Sequence, residues 1–185
     1  MDKNCLQIPV TEMTPEIMKR MEAEGLIIRL APGRHDIEAP FGETCYKSLY
    51  EEENCFGPHK IIALTVNRPG FPGFGTHPGN EEFLLIGDNA SKPMYILVAR
   101  MQLEAYRDKL EKKSLTEDDF YLLKARYNDP EVSFFTMRKG IPHGEGIFDE
   151  AGRNPSFYVT ESRDLPLDIC GMGDYTVEPL TERLR

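Results

Sequence analysis

The feature that most constrains this chain is a series of short β-branched and apolar runs, each cut off by glycine, proline or asparagine. They are "KIIALTVNR" from Lys60, "EEFLLIG" from Glu81, "PMYILVARM" from Pro93, "VSFFTMRKG" from Val132 and "PSFYVTES" from Pro155. Runs of this length and composition form strands, and the "PGFPGFG", "DNASK" and "IPHGEG" passages between them have turn chemistry. No regular alternation of strand and helix links them. The pattern therefore predicts a mainly β fold, an antiparallel sandwich or barrel with helices added outside.

Two helical stretches interrupt the strands. Thr14 can cap a helix that has Pro15 at its first position and an Ile17, Met18 and Met21 stripe, and Gly25 suits its left-handed end. "LIIRL" after it predicts a strand. Later, Leu103, Tyr106 and Leu110 share one helical face, and Ser114 or Thr116 is placed to cap a second helix running to Tyr127 before Asp129-Pro130. The organisation expected is one domain over 1–185. It has an α/β lead at 1–58, a barrel at 59–162 with a helical insert at 103–127, and a tail at 163–185 that wraps over the body. Residues 31–53 are expected to be mostly loop.

The formal net charge of −9, with a pI near 5.0 and no basic cluster, argues against nucleic acid or an anionic membrane as partner. No apolar run approaches the roughly 20 residues that span a bilayer, and Met1-Asp2-Lys3-Asn4 does not begin a signal peptide. Cys5, Cys45, Cys55 and Cys170 form no CxxC pair. They are expected to be free thiols in a cytoplasmic protein.

Chemistry concentrates at two places. "GFGTHPGNEEFLLIGD" sets His77 and the pair Glu81-Glu82 at the mouth of a strand, and "RKGIPHG" fixes His143 in a glycine-proline turn some 65 residues later. Successive strand residues point to opposite faces. If Leu84 and Ile86 face inward, Glu82 does too and Glu81 faces out. His77, Glu82 and His143 would then form a two-histidine, one-carboxylate set able to hold one divalent metal ion. Arg68, Arg138 and Lys139 are candidates for binding a substrate carboxylate. His59 and His35 fit ordinary turn and loop positions. No phosphate loop or nucleophile elbow is present.

Two strand-turn-strand units, each offering a histidine near a glycine, resemble the double-stranded β-helix barrel of the cupin superfamily. Its first motif has two histidines one residue apart, then a glutamate and a closing glycine. With His77 at the second histidine, Glu81 or Glu82 falls at the carboxylate and Gly87 closes the motif, while Gly75 occupies the first histidine position. "KGIPH" falls at the second motif. Within that superfamily the chain resembles the ureidoglycolate lyase family. The similarity lies in "IPVTEMTPEIMKRMEAEGLIIR", "THPGNEEFLLIGDNASKPMYILVA", "MRKGIPHG" and "PSFYVTES", in that order. The resemblance implies a carbon–nitrogen lyase that releases urea from ureidoglycolate, acting on a small carboxylate-containing substrate in a homodimer, with His77 and His143 in the pocket. This chain departs from it at Glu82, where the family has glutamine, at Glu81 for serine and at Pro142 for tryptophan. The alternatives are a cupin-like metabolite-binding protein without catalysis, or a metal-dependent cupin isomerase or oxygenase.

Overall fold

The computed structural model describes residues 4–29, 59–77, 79, 81–86, 92–162 and 168–180. The loop expected over 31–53, His35, Cys45, Cys55 and Gly87 lie outside these. In chain order the elements are β1 (Asn4–Glu12), α1 (Pro15–Ala23), β2 (Ile27–Arg29), β3 (His59–Thr65), β4 (Gly75–Thr76), β5 (Glu81–Leu84) and β6 (Tyr95–Ala99). Then come α2 (Leu103–Glu111), β7 (Phe120–Lys124), β8 (Phe134–Met137), β9 (His143–Gly146), β10 (Ser156–Ser162), β11 (Asp168–Ile169) and β12 (Tyr175–Leu180).

The strands make two sheets. One has seven strands in the order β11-β4-β9-β6-β7-β1-β12, the other five in the order β2-β8-β5-β10-β3. Pairing is antiparallel except where β1 runs parallel to β7 and to β12. The fold is thus mainly β, with an arrangement compatible with a barrel. Among the described residues no helix is long and apolar enough to cross a membrane.

The main core lies between the sheets. Ile96, Val98 and Leu123 from the larger sheet meet Phe83, Phe135, Phe157 and Val159 from the smaller one, and Met18 and Met21 of α1 pack into the same core. A second apolar layer covers the other face of the larger sheet. There Leu97, Ala99, Phe120 and Leu122 pack with Tyr106 of α2, Phe74 and Tyr175. Strands β6 and β7 are therefore buried on both faces, which is why their sequences are continuously apolar rather than alternating.

The start of α1 forms as expected. The Ile17 N–H donates to the Thr14 hydroxyl at 3.3 Å, Pro15 opens the helix and Gly25 follows it at φ +77°. The helix expected over 114–127 does not form. Thr116 instead caps a single 3-10 turn at Glu117–Asp119, and the chain enters β7 at Phe120. Phe120-Tyr121-Leu122-Leu123 has both sheet faces to fill, so pairing with β6 and β1 overrides the helical reading. "IPHGEG" is likewise not wholly a turn, because His143–Gly146 is β9, paired with β6. The described part of the tail adds the two edge strands of the larger sheet.

Candidate metal centre

Strand β9 is the element on which the site is built. His143 and Glu145 sit opposite Val98 and Ile96, which face the main core, so both side chains point between the sheets. Gly144 and Gly146 point the other way, against the chain that crosses from Gly70 to Phe74. A β carbon at Gly144 would come within 3.0 Å of the Phe74 Cα, and one at Gly146 would run into the Gly70 carbonyl. The glycines let this crossing chain lie flat on the strand. That contact locks β9 with its His143 and Glu145 face inward.

The turn before β9 is equally fixed. Gly140 has φ +77°, its carbonyl accepts from the Leu103 N–H at the start of α2, and the Pro142 carbonyl accepts from the Ala99 N–H. Within this turn His143 Nδ1–H donates to the Ile141 carbonyl at 2.8 Å. A carbonyl can only accept, so the proton on Nδ1 is assigned and Nε2 is left to face the site. Phe83 meets the imidazole edge-on at 5.6 Å and is itself stacked between Phe135 and Phe157.

Glu81 opens β5, and its Oε2 is the centre of the arrangement. His143 Nε2 lies 2.7 Å from it and His77 Nε2 lies 2.8 Å from it. The two imidazoles stand nearly parallel, with centroids 5.7 Å apart. His77 follows the short strand β4, whose Gly75 is registered opposite His143. A β carbon at Gly75 would run into the Asp168 carbonyl of β11, so no side chain can enter from that position. Glu81 and His143 are buried, whereas the His77 side chain is 18% exposed.

Burial alone would raise the Glu81 pKa. The hydrogen bonds from His143 and His77, with their charge, outweigh it and hold the carboxyl at about 2. For His143, burial pushes the pKa down, but the hydrogen bond and charge of Glu81 win and the net direction is up. Glu145 goes the opposite way from Glu81. Burial, together with the negative charge of Glu81, pushes it up to about 7.

His77, Glu81 and His143 offer three ligand atoms that all lie within 4.8 Å of one another. Two imidazole nitrogens and a carboxylate oxygen suit a divalent first-row ion. With His143 Nδ1 committed to a carbonyl, its Nε2 is oriented as metal-ligating histidines are. The donor set fits such an ion.

The expected pair of histidines therefore does come together, but around Glu81 instead of Glu82. The expected phase of β5 is reversed: Phe83 and Glu81 share the core face, and Glu82 is buried on the opposite one. All of β5 is buried, so its apolar run carries no phase to read. Arg68, Arg138 and Lys139 are exposed, and the hydrogen bonds and charge that hold the Glu81 carboxyl down come from His143 and His77. Arg138 instead bears on Glu22 of α1. Glu145 was not anticipated, although the His143-x-Glu145 spacing puts both on one face of a strand.

No protein-family model and no curated protein matches this chain.

Proposed function

We propose that this chain is a cupin-type, divalent-metal-dependent enzyme acting on a small metabolite. The proposed reaction is carbon–nitrogen lysis of an α-hydroxy acid of the ureidoglycolate kind. The observation that carries the reading is that His77, His143 and Glu81 each offer a ligand atom within 4.8 Å of the others, beside the buried core. His77, Glu81 and His143 would hold the ion. When bound, it supplies the positive charge that stabilises a substrate carboxylate and an ionising hydroxyl.

The chain's own residues hold and orient. Glu81 keeps the two imidazoles parallel, Phe83 and the Ile141 carbonyl fix His143, and the aromatic stack behind them excludes water. In the reaction the hydroxyl proton leaves, the carbon–oxygen double bond of glyoxylate forms, and the carbon–nitrogen bond breaks. The electron pair goes to nitrogen, which takes up a proton to give urea. One proton is lost and one gained, so turnover consumes none.

A second reading follows from the same geometry. With a proton on each Nε2, the His77–Glu81–His143 hydrogen bonds form a closed acid–base relay that needs no ion. A urea-release assay with ureidoglycolate separates the two. The metal reading predicts activity that is abolished by chelator, restored by Mn²⁺, Fe²⁺, Co²⁺ or Zn²⁺, and absent in His77→Ala. Chelator-resistant activity would favour the relay. No urea release under any of these conditions would remove this substrate.

A further inference from the structure

We propose that Glu145 is a fourth protein ligand of the divalent ion, an inference that rests on the metal reading above. Strand register places Glu145 two residues beyond His143 on the same face of β9, opposite Ile96 of the main core. The glycines on either side press the other face of the strand against the chain from Gly70 to Phe74, so β9 cannot turn this side chain away. Glu145 is half-buried, and its carboxyl interacts electrostatically with Glu81, His143 and His77 together. Its carboxyl accepts from its own backbone N–H, and the positive charge that acts on it is that of His143 and His77.

In the metal-free site the carboxyls of Glu81 and Glu145 oppose each other, and the charge of His143 and His77 is shared between them. The Glu145 carboxylate beside a divalent ion is well placed, because two neutral imidazoles and two carboxylates bring the charge of the loaded site to zero. The Glu145 carboxylate is not among the atoms that lie within 4.8 Å of one another. Ligation therefore requires a change of rotamer, which a three-torsion side chain can make on a fixed strand. Position 75, opposite His143, is closed by the β11 backbone and offers no donor.

The test is titration of the metal-freed full chain with Co²⁺, read by calorimetry and by the visible absorption of the bound ion. Wild type, Glu145→Gln and Glu82→Gln are compared, with circular dichroism confirming that each is folded. Glu82→Gln removes a buried carboxylate from the opposite face of β5, and so controls for loss of a nearby charge alone. The expected result is an affinity about tenfold or more weaker in Glu145→Gln, with an altered Co²⁺ spectrum, and neither change in Glu82→Gln. An unchanged spectrum and affinity in Glu145→Gln, with wild type binding Co²⁺, would overturn the inference and leave the three-ligand site standing. Failure of wild type to bind Co²⁺ would overturn both.

Discussion

In the metal-free protein, the bonds at Glu81 make a quantitative demand on acid stability. The unfolded chain takes up a proton on this carboxyl near its ordinary value of 4.5, whereas the folded chain resists until about 2. Between those values the unfolded state binds more protons, so the stability that Glu81 contributes is present above pH 4.5 and lost as pH falls. With one pKa unit equivalent to about 1.4 kcal/mol, the loss is about 2 kcal/mol by pH 3 and about 3 kcal/mol by pH 2. Glu81 is only 3% exposed, so solvent screening takes little away. On the alkaline side, the raised His143 contributes stability that is full below its ordinary value of 6.5 and lost as pH rises through its folded value. The two shifts describe one interaction and are not added. The assay is urea unfolding of chelator-treated protein at pH 5 and pH 3, comparing wild type with Glu81→Gln. A glutamine oxygen at the Oε2 position can still accept from the imidazole N–H groups, so the variant should fold. It should lose about 2 kcal/mol less than wild type over this range. Equal losses in the two proteins would refute the reasoning, because the acid sensitivity would then lie in other carboxyls.

Two further predictions concern the scaffold that aims the site. Gly146→Ala puts a methyl into the Gly70 carbonyl and within 2.8 Å of the Phe71 ring, and should cost about 1–3 kcal/mol in chemical denaturation; Gly73→Ala, with nothing within 4 Å, should not. Thr14→Ala removes the cap of α1 and should cost about 1 kcal/mol or somewhat less, since its hydrogen bond is long at 3.3 Å.

What could be read directly from the residues was what local chemistry controls. Thr14-Pro15 and Gly25 bracket α1 because caps and left-handed ends depend on their own few residues. His77 and His143 stood out as a pair, because each lies near a glycine in one of two strand-turn-strand units. The errors share a cause, which is burial on two faces. Phe120–Lys124 reads as helix and Glu81–Leu84 gives the wrong phase because each strand is buried on both faces, which erases the period of two. That one-residue slip exchanges Glu82 for Glu81 at the site. Strand β9 was hidden differently. Gly144 and Gly146 look like turn residues, and only the crossing chain over them shows why a strand needs them. Glu145 was hidden with it.

The central claim is that His77, Glu81 and His143 hold one divalent ion. The most direct test is the metal content of the full chain after loading with a first-row divalent ion and exhaustive dialysis. The account predicts one equivalent per chain in wild type and in Glu82→Gln, and none in His77→Ala or Glu81→Gln. Wild type without retained ion, or a His77→Ala protein that keeps it, would contradict the account.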